Sequence, residues 1–437
     1  MTGIVLSVVY TLLFILMIWK FPFFRLSGLS FRFLSFAFLA KILAGFAYYL
    51  IYLYYVPYQG TSDSIRFFED SAYIYKAFRS NTSDYLSMIS GIGDDNPYFL
   101  KYYQNIPNWV REFNRGLFND NRTIIRFNAV LRLVSFGSFP VHIVITNFLS
   151  FTGLLALYRF FVKVSKDEKF DSLVPNIIFA SFLFYFPSVL FWGSGVSKEG
   201  LSFFGLGMFL YFTRKFMVKQ FKPYINLALW LLSCYIMFFL KFYLLIFTLP
   251  LLTAFVWDSA LLKPSSGWKY FIILTPYLLI LLNLHYIFPT YNPASIISGK
   301  QKDFYAIAVY SEKDPLPIVP DLNSNNFSLV NAAVPAFLNT LAGPLIIKNL
   351  STFTLVGLLE DVFLIFLVLL PFLVFKRPCE NPNLFYFSFL IFILIFILIG
   401  LITPLPGAIM RYRIMALPFL FNAIRLVLDW KKLSLRF

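Results

Sequence analysis

The sequence has few charged residues and almost no cysteine or histidine. Only 13% of its 437 residues are charged, and it contains two cysteines and two histidines. Cys234 and Cys379 belong to different apolar segments, so the sequence indicates neither a disulfide framework nor a thiolate metal cluster. His142 and His285 also lie on separate apolar segments without metal-ligand spacing, which favours packing roles. No polar stretch is long enough to form a soluble domain of its own.

Apolar and aromatic residues make up most of the chain instead. The sequence is 59% hydrophobic and 21% aromatic, with a mean hydropathy of +0.73, which lies outside the range of soluble domains. The 57 Phe and 27 Tyr residues predict interfacial aromatic belts and tightly filled helix contacts. We therefore expect an all-α, polytopic integral membrane protein in which residues 1–437 form a single transmembrane helical domain.

Apolar runs near the length that a bilayer requires predict about eleven transmembrane helices. They begin near residues 3, 33, 137, 174, 200, 223, 242, 268, 352, 383 and 411. We expect the first run, residues 4–19, to be a retained helix, because no charged stretch precedes it and no small-residue cleavage site follows it.

Basic residues follow every second apolar run. They are Lys20, Arg25, Arg32, Arg159, Lys163, Lys166, Lys169, Arg214, Lys215, Lys219, Lys222, Lys263, Lys269, Lys376, Arg377, Lys431, Lys432 and Arg436. This alternation predicts cytoplasmic connections at these positions, with the amino terminus outside and the carboxy terminus inside. The net charge of +16 is thus a sign of topology, and the sequence indicates no nucleic-acid partner.

Two long connections fall on the predicted outer side. Residues 56–135 contain amphipathic stretches, which predict helices along the membrane surface. Residues 289–351 end in an apolar stretch that is interrupted by Pro335, Gly343 and Pro344, which favours a re-entrant or interfacial segment over a straight span. Connections of this length usually carry a function.

A short polar joint between two apolar runs contains both an acid and a base. Residues 193–200 have the sequence GSGVSKEG, in which Ser197 is a suitable N-cap for the next helix. The amides that open that helix, with Lys198 beside them, predict a phosphate-binding site. Glu199 is a further candidate polar residue of this site. The alternative is a tight hairpin whose Lys198 and Glu199 lie in the headgroup layer.

Asp63 and Asp70 follow the second apolar run and are the candidate catalytic acids. Seven residues apart on a helix, they would share one face about 10 Å apart along the axis. That separation suits one general base and one helper. The alternative is the solvated end of an amphipathic helix.

Glu360 and Asp361 lie inside the ninth predicted span, roughly 12 Å below its outer end. Carboxylates at that depth face protein or a water-filled cavity and mark candidate functional sites. If the span instead starts at Leu359, both carboxylates lie at the interface.

Arg411 and Arg413 lie at the outer start of the last predicted helix, after Pro404 and Pro406. Guanidinium groups bind phosphate bidentately, so we predict phosphate contacts for both arginines. Snorkelling at the interface is the alternative. Lys241, also on the predicted outer side, is most simply explained as a marker of a short hairpin.

Three segments resemble the GT-C glycosyltransferases that use polyprenyl-phosphate sugars, and the polysaccharide polymerases of bacterial envelopes. Asp63 in GTSDSIRFF resembles the acidic base in the first large outer loop of these transferases. The segment MRYRIMALPFL is similar to their RYR-x-x-x-x-P stretch, which implies lipid-phosphate contacts for Arg411 and Arg413. The joint FWGSGVSKEGL resembles a segment of bacterial envelope proteins of this type. The acidic loop follows the second helix here, whereas in the transferases it follows the first.

The resemblance implies a membrane glycosyltransferase on the outer face of the bacterial inner membrane. Its donor would be a polyprenyl-(pyro)phosphate-linked sugar or oligosaccharide, and its acceptor a glycan or lipid. Nothing in the sequence indicates a divalent metal cofactor. A repeat-unit polymerase is the alternative within this substrate class, and a transporter or flippase of lipid-linked glycan is the alternative from another class. A transporter predicts internal repeats and broken helices in matching halves, which the sequence does not show.

Overall fold

The computed structural model describes residues 2–26, 28–55, 59–110, 119–164, 173–218, 223–257, 265–310, 322, 326–346, 352–374, 379 and 381–430. Within these ranges the chain is α-helical with short 3-10 turns, and it contains no β-strand beyond an isolated bridge between Leu26 and Leu29. The basic residues at 166, 169, 219, 222, 263, 376, 377, 431, 432 and 436 lie outside the described residues, and so does most of the polar stretch 311–325. The predicted orientation therefore stays a prediction.

The α-helices have the following bounds. In the first half of the chain they are Thr2–Lys20, Phe31–Tyr54, Asp63–Ser80, Thr82–Ser90, Leu100–Tyr103, Asp120–Ser135, Phe139–Val164, Leu173–Tyr185, Pro187–Trp192 and Lys198–Met217. In the second half they are Pro223–Leu240, Phe242–Val256, Ser266–Leu282, Pro293–Tyr310, Asn326–Asn331, Ala333–Ala342, Thr352–Leu373, Pro382–Ile402, Pro406–Arg413 and Leu417–Val427.

Five of the described helices are long and apolar enough to cross a bilayer. They are Thr2–Lys20, Phe31–Tyr54, Phe139–Val164, Leu355–Leu373 within its longer helix, and Pro382–Ile402. Six shorter apolar helices accompany them: Val174–Tyr185, Tyr224–Leu240, Phe242–Val256, Ser266–Leu282, Ala333–Ala342 and Leu417–Val427. The predicted all-helical fold with several membrane helices is confirmed at this level. The count of eleven spans and the GT-C-like arrangement stay predictions.

The predicted helix starts agree closely with the structure, except at the carboxy-terminal end. The first ten predicted spans each begin within two residues of a helix start. The eleventh, expected as one helix from residue 411, is two helices, Pro406–Arg413 and Leu417–Val427, joined by a turn at 414–416. The single helix is wrong because Pro418 lacks the N–H that a continuous helix would bond to Ile414.

The two predicted outer connections contain more helix than the sequence suggested. The described residues of 56–135 form four α-helices, of which Asp63–Ser80 and Asp120–Ser135 are the longest. Within 289–351 the helix Pro293–Tyr310 precedes the apolar stretch, which forms Asn326–Asn331, Ala333–Ala342 and a 3-10 turn. Their position outside the membrane stays a prediction.

The chain forms two compact units, although the sequence predicts a single domain. Unit 1 comprises Met1–Leu157, Val189–Thr213 and Phe221–Phe242. Unit 2 comprises Tyr158–Ser188, Arg214–Gln220 and Tyr243–Phe437. Each unit is described by itself below.

In unit 1 the amphipathic helices pack around an apolar cluster. Asp63–Ser80 buries Phe67, Ile74 and Ala77 on one face, and Asp120–Ser135 buries Ile124 and its neighbours against them. Residues spaced three and four apart make such a face on a helix. The polar residues of the same two helices are not part of this apolar cluster and can form a site.

Glycines allow two helices of unit 1, Phe139–Val164 and Lys198–Met217, to approach each other. A Cβ atom added at Gly207 would meet the backbone of Gly153, and one added at Gly153 would meet the backbone of Phe203. Small residues at a helix contact permit this close packing in membranes. This contact holds the helix Lys198–Met217, which begins within the joint at residues 193–200, against the helix Phe139–Val164.

Unit 2 has an aromatic core and its own close helix contact. The helices Ala333–Ala342 and Pro382–Ile402 meet where Thr340 Oγ1 donates to the Phe396 carbonyl at 2.7 Å. A Cβ atom at Gly400 would meet the Ala336 carbonyl. This contact places Thr340 beside the buried polar groups of the unit.

We expect Gly207→Ala to destabilise the protein, because the added methyl group meets the Gly153 backbone. Overpacking of this kind costs roughly 1–3 kcal/mol. Thermal unfolding of the detergent-purified protein measures the change. Gly407→Ala is the matched control, because a Cβ atom at this helical glycine meets no atom within 4 Å. Equal unfolding temperatures for the two variants would contradict the packing contact.

Candidate functional site

The joint at residues 193–200 is buried inside unit 1. The helix Pro187–Trp192 ends there, a turn covers 193–197, and the helix Lys198–Met217 begins. Lys198 is 5% exposed and Glu199 is 1% exposed, so neither extends into a headgroup layer. Ser197 directly precedes the helix as predicted, but its Oγ is buried and has no hydrogen-bond partner among the described residues.

Lys198 is held by oxygen atoms from the start of another helix. Its Nζ lies 2.9 Å from Asp120 Oδ2 and donates to Asn121 Oδ1 at 2.6 Å. The same ammonium lies 5.1 Å from the centroid of the Phe67 ring, within the range of a cation–π contact. Asp120 is the first residue of Asp120–Ser135, where the helix dipole stabilises a carboxylate. The sequence analysis did not single out Asp120.

A chain of hydrogen bonds connects Lys198 to Asp70. Asn121 Nδ2 donates to the Asn108 carbonyl at 3.3 Å. Asn108 in turn donates to Asp70 Oδ2 through its backbone N–H at 3.2 Å and its Nδ2 at 2.8 Å. The structure therefore brings the predicted phosphate ligand Lys198 and the predicted acid Asp70 into one polar network.

Asp63 and Asp70 share one face of the helix Asp63–Ser80, as the spacing predicts. Asp63 opens the helix and is half-buried, Phe67 follows one turn later, and Asp70 is buried. Burial raises the pKa of the Asp70 carboxyl above its ordinary 3.8, although the Asn108 hydrogen bonds oppose that rise. Because Phe67 lies between the two acids and beneath Lys198, the face that carries them is the face turned toward the lysine.

Glu199 has a basic partner, Lys241, whose presence was interpreted from the sequence as the marker of a short hairpin. Lys241 Nζ lies 3.4 Å from Glu199 Oε1, and the two side chains are 9% and 1% exposed. Two opposite charges buried together neutralise each other and lower the cost of removing both from water. Glu199 therefore holds Lys241 and does not stand as an isolated negative charge beside Lys198.

Lys41 contacts the joint from within a membrane helix. It is fully buried, and its Nζ donates to the Gly193 carbonyl at 3.0 Å and to Ser194 Oγ at 3.2 Å. Asn147 and Ser150 bond the same turn, at the Ser194 and Gly193 carbonyls respectively. Lys41 was not among the residues predicted from the sequence, although a lysine inside the apolar run 31–54 is itself a signal of a functional or positioning role.

The remaining predicted residues belong to unit 2. Arg413 is fully buried, and its Nη2 lies 3.0 Å from Glu360 Oε1 and 2.5 Å from Asp361 Oδ1. Its Nη1 contacts the Thr340 carbonyl at 3.4 Å. Glu360 and Asp361 are therefore buried in protein, and their depth in the membrane stays a prediction.

Arg411 and Arg413 do not share one environment. Residues two apart on a helix do not face each other, and Arg411 is partly exposed whereas Arg413 is buried. Two carboxylates already neutralise Arg413. The predicted phosphate contacts of Arg411 and Arg413 stay a sequence-based prediction.

The described residues contain no group of three or more His, Cys, Asp or Glu side chains that could hold a metal ion. A surface cleft of about 660 Å³ is lined by Trp268, Phe271 and Tyr386 with their neighbours, and none of the predicted site residues is part of its lining. The polar network of unit 1 is therefore the candidate site that the geometry favours.

Comparisons with known proteins give no family for the chain. No family model matches it, and neither a curated protein nor a solved structure shows significant similarity.

We expect Lys198→Met to destabilise unit 1, because it leaves the Asp120 carboxylate and the Asn121 amide without their buried partner. Losing such a partner costs roughly 1–3 kcal/mol. Adding Asp120→Asn should recover part of the loss, since the double variant buries no unpaired charge. Chemical unfolding of the four proteins of this cycle measures the coupling. Asp95→Asn is the control, because Asp95 is 92% exposed and lies 3.7 Å from Arg122. Strictly additive effects would contradict the ion pair.

We expect Asp70→Asn to become more stable relative to the natural protein as pH rises. Because the pKa of Asp70 is raised in the folded state, the stability it contributes is fully present below its unfolded pKa. That stability is lost as pH rises through the folded pKa. The unfolding temperature of Asp70→Asn should therefore rise relative to that of the natural protein as pH increases from about 4. Glu69→Gln, at an exposed neighbouring acid, should show no such trend. If the difference in unfolding temperature between Asp70→Asn and the natural protein does not change with pH, the raised pKa of Asp70 is contradicted.

Proposed function

We propose that the protein is a membrane glycosyltransferase that uses a sugar or oligosaccharide carried on a polyprenyl phosphate or pyrophosphate. Its acceptor is a glycan or lipid on the outer face of the bacterial inner membrane, and its product belongs to a cell-envelope polysaccharide or glycoconjugate. The observation that supports this proposal best is the network that connects Lys198 to Asp70 on a helix that also carries Asp63.

The network combines the two kinds of group that such a transfer needs. A carboxylate removes the proton of the acceptor hydroxyl, and a cation stabilises the charge that develops on the phosphate leaving group. Asp63 and Asp70 supply carboxylates on one helix face, and Lys198 supplies the cation at the start of a helix whose first amides favour an anion.

The degree of burial assigns different roles to the two acids. Asp63 is half-buried and is our proposed general base. Asp70 is 4% exposed and holds Asn108, through which Asn121 and then Lys198 are positioned. Asp70 is therefore a positioning residue in this proposal.

Asp120 is the counter-ion of Lys198 in the absence of substrate. The Asp120 side chain is 21% exposed and that of Lys198 is 7% exposed, so the carboxylate lies on the more accessible side of the pair. We propose that the phosphate of the donor takes over from Asp120 beside the ammonium. We assign this step to Lys198 and not to Arg413, because Arg413 is fully buried and its charge is already balanced within its own cluster of carboxyl groups.

We expect Asp63→Asn to lower the transfer rate by about 10²–10⁴-fold, because the amide cannot accept the hydroxyl proton. The measurement is transfer of a labelled sugar from lipid-linked donor to acceptor by purified protein, with cell-surface glycan as a second readout. Glu69→Gln on the same helix is the matched control and should transfer at the normal rate. Near-normal transfer by Asp63→Asn would refute the assignment of the base.

The glycans of cells that carry an inactive variant of the protein distinguish the alternative functions. Loss of a glycosyltransferase gives a shortened glycan and an accumulated donor. Loss of a polymerase leaves single repeat units attached to their acceptor. Loss of a flippase confines the lipid-linked glycan to the inner leaflet, where an impermeant glycosidase added from outside cannot reach it.

A further inference from the structure

The cluster of Glu360, Asp361 and Arg413 in unit 2 has an unbalanced charge. It combines two carboxylates with one guanidinium, and all three side chains are at most 3% exposed. Both acids lie in the apolar helix segment Leu355–Leu373. An uncompensated charge buried in such surroundings is very costly, so one of the two carboxylates requires a further positive charge.

The contacts show which carboxylate is already satisfied. Glu360 accepts at both oxygens, from Arg413 Nη2 at 3.0 Å and from the Ser188 backbone N–H at 2.8 Å. Asp361 meets the same Nη2 through Oδ1, and its Oδ2 is buried with no hydrogen-bond partner among the described residues. Two donors stabilise the ionised form of Glu360, so the missing positive charge belongs at Asp361.

Among the described residues, the elements packed against this helix supply no second cation to Asp361. The described helix Ala333–Ala342 carries no titratable residue. On Leu417–Val427, Arg425 bonds the amide oxygens of Asn176 and Asn422. The remaining titratable groups on the neighbouring helices are Arg411 and Tyr412 beside Arg413, and Tyr185 on Leu173–Tyr185. None of them forms an ion pair with Asp361 in the part of the chain that the structure describes.

Two further buried polar atoms, in residues that contact Glu360, have no hydrogen-bond partner among the described residues. They are Arg413 Nε and Ser188 Oγ. Buried polar atoms are normally satisfied by protein, water or an ion. Their concentration in this part of unit 2 indicates a small polar ligand that reaches the cluster, independently of the charge count.

We propose that Asp361 binds an exchangeable proton and that this cluster is a buried proton-binding site. A proton from water bonds to one carboxylate oxygen and converts Asp361 to the neutral acid, which brings the cluster from a net charge of −1 to zero. A metal cation would have to lie against the Arg413 guanidinium, which repels it, whereas a proton adds no separate charge. This inference does not depend on the proposed transfer reaction.

Infrared spectroscopy of the detergent-purified protein at neutral pH tests the site. We expect a carbonyl stretch from a protonated carboxylic acid in the natural protein, which shifts when aspartate carboxyl carbons are labelled with carbon-13. Asp361→Asn should lose this band. Glu360→Gln should lose it too, because Arg413 alone then balances Asp361. Glu69→Gln, at an exposed acid, should keep it.

The proposal would be overturned by the absence of the band in the natural protein, by its persistence in Asp361→Asn, or by a band that aspartate labelling leaves in place. A band that appears only after sodium is replaced by choline would also overturn it, because the cluster would then bind a metal cation. The labelled natural protein provides a test even if a variant does not fold.

Discussion

The burial of charge in an apolar protein is the constraint on which the structure depends. Lys198 pairs with Asp120, and Lys241 pairs with Glu199, each in unit 1. Removing one partner of such a pair costs roughly 1–3 kcal/mol, a substantial part of the roughly 5–15 kcal/mol that holds a domain folded. The first pair joins the start of Asp120–Ser135 to the start of Lys198–Met217, and the second joins the same helix start to the segment between Pro223–Leu240 and Phe242–Val256.

The joint at residues 193–200 shows how the sequence meets this constraint. Gly193 allows its carbonyl to accept from both Lys41 and Ser150, and a Cβ atom there would meet the Val189 carbonyl. Lys41 is the exception to the pairing rule, because its two acceptors are neutral. Lys41 bonds Gly193 and Ser194 and so holds the turn of the joint in place. The next helix then begins with Lys198, which pairs with Asp120, and Glu199, which pairs with Lys241.

Much of the fold was predictable from local patterns. Hydrophobic runs placed ten helix starts within two residues, because length and composition decide those helices. The spacing of Asp63 and Asp70 placed both on one helix face. The break at 414–416 was missed because a single proline, Pro418, overrode an otherwise continuous apolar run.

The partners of the site residues were not predictable. Asp120 pairs with Lys198 across 78 positions of the chain, and Glu360 pairs with Arg413 across 53. Such pairings follow from tertiary packing and leave no local pattern. Lys41 was different, because its position inside an apolar run was visible in the sequence. The function of the polar network stays a proposal.

The most direct test of the central claim is the affinity of the purified protein for a short-chain polyprenyl phosphate, measured by native mass spectrometry. If Lys198 binds the phosphate, Lys198→Met should weaken binding at least about tenfold, which corresponds to about 1.4 kcal/mol. Lys76→Met, at an exposed lysine on Asp63–Ser80, should leave the affinity unchanged. Asp120→Asn should leave the affinity unchanged or raise it. Equal affinity of the natural protein and Lys198→Met, or equal binding of the uncharged polyprenyl alcohol, would contradict the account.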